Sequence, residues 1–362
     1  MLQAASTRNR SPLKQTHILD SLRGEIVTGK IQPGQRMPTR MELERRFQVS
    51  NATLQRALDR LMKEGFAYAK GTMGTYVADQ PPHLANIGIV LPMSPTSEGF
   101  VHFYKAISQE AKRYEQQHGR PITVYYGNGA HADDEDFRRL DRHVRQHRVA
   151  GLIFMHRTTS YAGTPILDEP EIPRVALGET PIPGIAVMRL VRESMITQGL
   201  DHLASKGRKR LAIIGSCSSI IEPGEIDFWM REAEARGFKT GLHWIHGLSL
   251  ISPASAANVA RLLMFGAQHE RPDALMILDD NLAEHATVGL LASGVRVPED
   301  LEIVSHCNFP LPTPNLLPVT RIGFDIRDLL HRSIETIDAI RRGEPIAPVT
   351  EISVVHESDT SV

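Results

Sequence analysis

The run Ser50-Asn51-Ala52-Thr53-Leu54-Gln55-Arg56 sets amides, hydroxyls and a guanidinium on one side of a helical repeat. Asn and Gln present the donor-acceptor pair that matches the N6/N7 edge of adenine, and Arg is suited to phosphate or guanine. A blander reading stays open, in which Asn51 and Gln55 only solvate the helix and touch DNA backbone. A second set of polar groups follows apolar runs. Asp279 and Asp280 end Ala274–Leu278, His306 and Asn308 follow Leu301–Val304, His156 and Arg157 follow Gly151–Met155, and Phe100 with Tyr104 opens a helical stretch. Polar and aromatic groups at strand ends are candidates for lining a ligand cleft. Each also has a structural reading: Asp280 as a helix cap, His156 and Arg157 as loop surface, Phe100 as helix packing, His306 and Asn308 as core polar groups. Asp279, His306 and Cys307 could be imagined as a catalytic or metal-binding constellation. The chain nevertheless has no P-loop, HExxH, GxSxG or post-strand GxGxxG, and its 16 histidines lack ligand spacing. No catalytic residue, metal or cofactor is expected.

The elements that must position the first set read clearly. Leu13, Ile18, Leu22 and Ile26 form an apolar stripe that ends at Gly29 and the Gln32-Pro33-Gly34 turn. A second helix starts after Pro38, with Thr39 and Glu42 at capping-box spacing, buries Leu43 and Phe47, and breaks at Gln48-Val49. Ser50 is expected to cap a third helix whose buried stripe is Leu54, Leu58, Leu61 and Met62. Gly65 ends it. Phe66–Ala69 and Thr75–Val77 then read as two short strands around the Lys70–Gly74 loop, a wing. This winged helix-turn-helix, residues 13–78, is expected to face a DNA duplex with Arg40, Ser50, Asn51, Thr53, Gln55, Arg56, Lys70 and Gly74. Charge agrees once the chain is divided. Residues 1–80 carry 13 Lys+Arg, Arg8 among them, against seven acids, whereas the remainder has 28 against 35. A basic head on an acidic body suits phosphate binding.

With 362 residues, the chain has room for a large second domain. Residues 79–85 read as a stiff Pro-containing linker, and residues 86–358 as effector-binding and dimerisation domain. There, continuous apolar strands (Ile87–Leu91, Ile122–Tyr126, Gly151–Met155, Leu211–Ile214, Ala274–Leu278, Leu301–Val304) alternate with amphipathic helices, one near Asp134 to Gln146. That pattern predicts parallel sheets covered on both faces, in two successive lobes with a cleft as default ligand site. The fold class expected is therefore multidomain α+β and α/β. No apolar run of 18 residues and no hydrophobic N-terminal signal occur, so neither a membrane span nor export is expected, and two cysteines fit the cytoplasm.

The head resembles the GntR family of bacterial regulators, through Pro33-Gly34, Pro38-Thr39, Val49-Ser50, Ala57-Leu58, Gly65 and Gly74-Thr75-Tyr76-Val77. The resemblance implies arginines at the positions held here by Met41, Asn51 and Gln55, so a different base preference is expected. Arg40 or Arg56 would restore phosphate contact. The body, from Ile87 to Ser358, resembles the lactose/galactose-repressor family with its periplasmic-binding-protein-like sensor. The resemblance rests on His202-Leu203 with Gly207–Leu211, Pro272-Asp273-Ala274 leading to Asp279–Ala283, Gly294–Asp300 and Val354–Ser358. It implies a homodimer, one lobe of about 86–184 plus 309–344, and another of about 185–308 plus 345–358. It also implies an arginine after Leu211–Ile214, an aspartate at Cys307 and an aromatic near Ser249, all missing here. The effector expected is a carbohydrate, with a non-sugar ligand or a lost effector site left open. The function expected is a ligand-controlled repressor bound to double-stranded operator DNA. The alternative, a sugar-binding transport receptor, shares the body's fold but not the basic head.

Overall fold

The computed structural model describes residues 10–127, 135–217, 224–265 and 270–360, so Arg8 and Asp134 lie outside the described residues. By contacts the chain divides into two compact units. The first comprises Met1–Pro92, Tyr114–Ala176 and Ile337–Pro345, the second Met93–Arg113, Leu177–Thr336 and Ile346–Val362.

The first unit begins with helices α1 (Arg10–Val27), α2 (Arg40–Phe47) and α3 (Asn51–Lys63), followed by the strand pair β1 (Ala67–Ala69) and β2 (Thr75–Val77). Ile18, Leu22 and Ile26 are buried as the helical period requires, with Leu19, Leu43, Leu54, Leu58, Leu61 and Phe66 around them. Leu13 departs from the expected stripe. It is 73% exposed because it sits in the first turn of α1, ahead of the packed segment that begins at Ile18. Phe47 and Met62 pack on the edge of this core, half-buried. Thr39 makes the full capping box with Glu42. Ser50 occupies the N-cap position of α3 but its hydroxyl accepts no capping backbone N–H; it lies 3.0 Å from the Thr53 hydroxyl instead. A buried ion pair closes the head: Arg23, 3% exposed, reaches Glu64 at 2.6 Å and Asp20 at 2.8 Å, while Arg60 binds the other Glu64 oxygen at 3.0 Å.

Where a linker is expected, Pro82–Ala85 forms a one-turn helix, α4, and His83 stacks on Phe66 at 6.0 Å with 8° between the rings. The same unit then carries β3 (Ile87–Leu91), β4 (Ile122–Tyr126), α6 (Glu135–Arg145), β5 (Gly151–Phe154), α7 (Pro165–Asp168) and most of β6 (Arg174–Leu177). Helix α5 (His102–His118) starts in the segment assigned to the second unit. The strands run parallel in the order β4-β3-β5-β6, Ile87 opposite both Ile122 and Gly151. Every residue of β3 and β5 is buried, as a sheet covered on both faces demands.

The second unit holds β7 (Ala186–Leu190), α8 (Arg192–Ser205), β8 (Leu211–Ser216), α9 (Glu225–Ala235), β9 (Ile245–Leu248), α10 (Ser255–Leu263), β10 (Ala274–Ile277), α11 (Asp280–Ala292), β11 (Glu302–Phe309), β12 (Thr320–Asp325), the first part of α12 (Ile326–Arg341), β13 (Val349–Ile352) and β14 (Val354–His356). Six of its strands form one sheet in the order β14-β12-β11-β10-β8-β9, parallel except for β14, and β13 pairs with β7. Alternate residues of β10 enter opposite cores. Leu275 and Ile277 join Trp244 and Leu290, whereas Ala274 and Met276 join Trp229 and Leu203. Helices α10 and α11 touch through Gly289, where a Cβ would stand 2.1 Å from the Ala257 carbonyl oxygen.

Two expectations change here. Strand β11 does not end at Val304 but runs on through Phe309, so Ser305 to Asn308 are strand residues. Strand β12, which the expected division gave to residues 309–344 of the first lobe, hydrogen-bonds to β11 and β14 in the second unit.

Candidate nucleic-acid interface and effector pocket

The amphipathic repeat of α3 buries Leu54, Ala57, Leu58 and Leu61 and leaves Asn51, Ala52, Arg56 and Asp59 exposed, with Gln55 and Thr53 half-buried. Both amides are held. Asn51 donates to Glu44 at 2.7 Å and Gln55 to Asp59 at 2.6 Å, which fixes each amide while one N–H and the carbonyl remain for another partner. Arg40 and Arg56 are exposed, and among the described residues neither has a hydrogen-bond or ion-pair partner. In the wing, Lys70 N–H donates to the Gly74 carbonyl at 2.9 Å and the Lys70 ammonium lies 5.6 Å from the Tyr76 ring centre. Gly74 has φ 109°, a conformation that disfavours side chains. Met41 and Met73 are 65% and 53% exposed, one at the start of α2 and one in the wing loop.

In the second unit the structure brings four of the predicted effector residues together. Asp279 caps α11, accepting from the Asn281 backbone N–H at 3.0 Å and its side chain at 2.7 Å. The cap is thus Asp279, not Asp280 as the structural alternative had it. Asp280, 2% exposed, is the first helical residue, and its carboxylate takes hydrogen bonds from His102 Nδ1 at 3.0 Å and Asn308 Nδ2 at 2.8 Å. His306 Nδ1 stands 3.9 Å from Asp280, an ion-pair contact beyond hydrogen-bonding reach. Burial opposes ionisation of Asp280, but hydrogen bonding from His102 and the charge on His306 outweigh it and hold the carboxyl below its ordinary value. Burial equally opposes a charge on His306, and the facing Asp280 and Asp279 overcome it, so its pKa is raised. Asp279 is pushed up by burial. Cys307 is buried, and burial pushes its thiol up to about 12, which leaves no thiolate for chemistry. Among the described residues no three His, Cys, Asp or Glu side chains are placed to hold a metal.

The other predicted residues lie elsewhere. Phe100 packs against Tyr104, ring centres 5.9 Å apart. His156 and Arg157 belong to the first unit, where His156 sits beside Phe154 and Tyr161, donates through Nδ1 to the Arg157 carbonyl and is pushed down by burial; Arg157 is exposed.

A cavity of about 290 Å³ in the second unit contains residues that the strand-end reading missed. Its walls are Glu179, Arg189, Arg192, Glu193, Met195, Ile196, Glu225, Phe228, Trp229 and Leu278. Arg189 bonds Glu351 at 2.8 Å as well as Glu193, and Arg192 bonds Glu179 at 2.7 Å. The Trp229 indole N–H is buried without an acceptor. The cavity thus sets arginines and carboxylates beside two aromatic rings. Arg189 is the penultimate residue of β7 and Arg192 the first of α8.

Residues 14–77 match the family described as bacterial regulatory proteins, gntR family, and residues 200–357 match the periplasmic binding protein-like domain. The arabinose metabolism transcriptional repressor of Geobacillus stearothermophilus is 23% identical over 343 residues, 89% of this chain and 91% of the relative. Among solved structures, a LacI-family regulatory protein from Chloroflexus aggregans superposes with a TM-score of 0.59 at 17% identity, over 75% of this chain and 96% of that one. A LacI-family transcriptional regulator from Arthrobacter sp. FB24, solved in complex with lactose, gives 0.58 at 16% identity, over 75% and 97%. The chain therefore joins a head that matches the gntR family to a body that matches the periplasmic binding protein-like domain and shares its fold with those solved regulators.

Proposed function

We propose that the protein is a cytoplasmic transcriptional repressor that binds a palindromic operator as a homodimer and is released from it by a carbohydrate. The observation that carries the DNA half is the exposed first turn of α3, with Asn51 and Gln55 held in place beside the unpaired Arg40 and Arg56. The relative's name points to arabinose metabolism and one structural neighbour holds lactose. The cavity beside Arg192, Phe228 and Trp229 suits such a ligand, because guanidinium and carboxylate groups bond hydroxyls and rings stack on sugar C–H faces. Val288 and Leu291 on α11 are exposed next to Leu316, whose N–H donates to Thr287, and they offer an apolar surface to a second copy. An effector shifts operator occupancy only through different affinities for the bound and released states.

Selection of bound duplexes from a random pool tests the first half. A salt-sensitive preference for a palindrome is expected, and Gln55→Ala should alter preference at one position of each half-site. A protein with no sequence preference at any salt concentration would end this reading. Thermal unfolding of the full chain with pentoses, hexoses and disaccharides tests the second half. One class should raise the melting temperature in the wild type and not in Arg192→Ala or Phe228→Ala. If no sugar moves it, the carbohydrate assignment fails while the DNA assignment stands.

A further inference from the structure

The wing is held on its outer edge by the segment before α2. Met37 N–H donates to the Thr75 carbonyl and Val77 N–H to the Gln35 carbonyl, both at 2.9 Å, and Arg36 bridges Tyr76. The Arg36 backbone is therefore a fixed part of the wing, and its guanidinium lies against Gly74, where a Cβ would meet Nε at 3.0 Å. A side chain at position 74 would crowd it, and the φ of 109° already favours glycine. Below it opens a groove of about 450 Å³, walled by Thr39, Arg40 and Met41 from the start of α2 and by Gly71, Thr72 and Gly74 from the wing.

Two arginines face this groove without hydrogen-bond or ion-pair partners among the described residues. Glu42 commits its carboxylate to Thr39 in the capping box, and those hydrogen bonds, helped by Arg45 and Arg36, hold its carboxyl below its ordinary value. Two uncompensated guanidiniums on a rigid, open groove are a site for a tetrahedral anion that arrives from outside. On a winged head that anion is a backbone phosphodiester. We propose that Arg36, together with Arg40, clamps a DNA phosphate between the wing and α2, at the place where Met41 offers no charge. This rests on the DNA-binding reading above and adds to it a contact that carries affinity without sequence information.

Affinity for a duplex selected by the wild type, and for a random duplex of equal length, measured across a salt series, tests the clamp. Each phosphate neutralised contributes about 0.9 to the slope of log affinity against log salt. Arg36→Ala and Arg36→Gln should each flatten the slope by up to about one on both duplexes, Arg36→Ala with Arg40→Ala by no more than about one because a single phosphate is shared, and Arg36→Lys should restore it. Base preference should stay as in the wild type. Arg36 is exposed, so unchanged thermal unfolding of the variants is expected and confirms that they fold. A wild type that binds with an unaltered slope in Arg36→Ala overturns the clamp alone, as does a change of base preference in place of slope. A wild type without salt-dependent binding overturns both readings.

Discussion

Asp280 takes hydrogen bonds from His102 and Asn308, a longer one of 3.5 Å from Asn281, and faces His306, so replacing it by Ala strips these groups of a common anionic partner. Removing one member of a buried charged network costs about 3–5 kcal/mol, and denaturant unfolding of Asp280→Ala should show a loss of that order. At His83 the lever is pH. Burial, reinforced by Arg341 and His147, lowers it from 6.5 to about 4, and burial with Arg148 does the same to His143. The folded protein binds fewer of these protons than the unfolded chain between pH about 4 and 6.5, so stability falls as pH drops through that window. His83→Phe keeps a ring against Phe66 and should make the fall in melting temperature from pH 7 to 4 shallower; parallel curves would disprove the assignment. Residue types at strand ends made Asp279, Asp280, His306 and Asn308 legible as a group. Arg189 and Arg192 were not, because Arg189 interrupts the apolar run of β7 and hides the strand whose end they mark.

Among the elements, Gly289 shows two effects in competition. An alanine there gains up to about 1 kcal/mol of helix propensity but drives a methyl group into the Ala257 carbonyl, an overpacking that costs about 1–3 kcal/mol or more. Gly289→Ala should therefore destabilise, and unfolding in urea decides the sign. Loss of the Thr39 cap in Thr39→Ala should cost about 1 kcal/mol, with α2 fraying first in hydrogen exchange. Helices α2 and α3 were readable because capping and period are local properties. The extension of β11 to Phe309 was not, since Ser305, His306 and Asn308 break its apolar pattern, and the Asp280 that His306 and Asn308 face lies far away in sequence.

For the whole molecule, the change from helical to strand-and-helix periodicity near residue 80 reads as a passage from head to α/β body, while by contacts the head shares its unit with β3, β4 and β5. Which sheet a strand joins is a different kind of information. The chain passes between the two units at 92/93, 113/114, 176/177, 336/337 and 345/346, and no local pattern at β12 says that its neighbours are β11 and β14. Charge, by contrast, is legible at this scale. The excess of base over acid in residues 1–80 predicts that DNA affinity follows the head's phosphate contacts and weakens steeply with salt, whatever the sensor binds.

The stacking of His83 on the fully buried Phe66 bears on how such proteins are assembled from parts. A head transplanted onto a different sensor with its cut at residue 78 would leave Phe66 without its cover, whereas a cut after Ala85 carries the lid along. The head's packing thus extends one helical turn beyond the end of the wing.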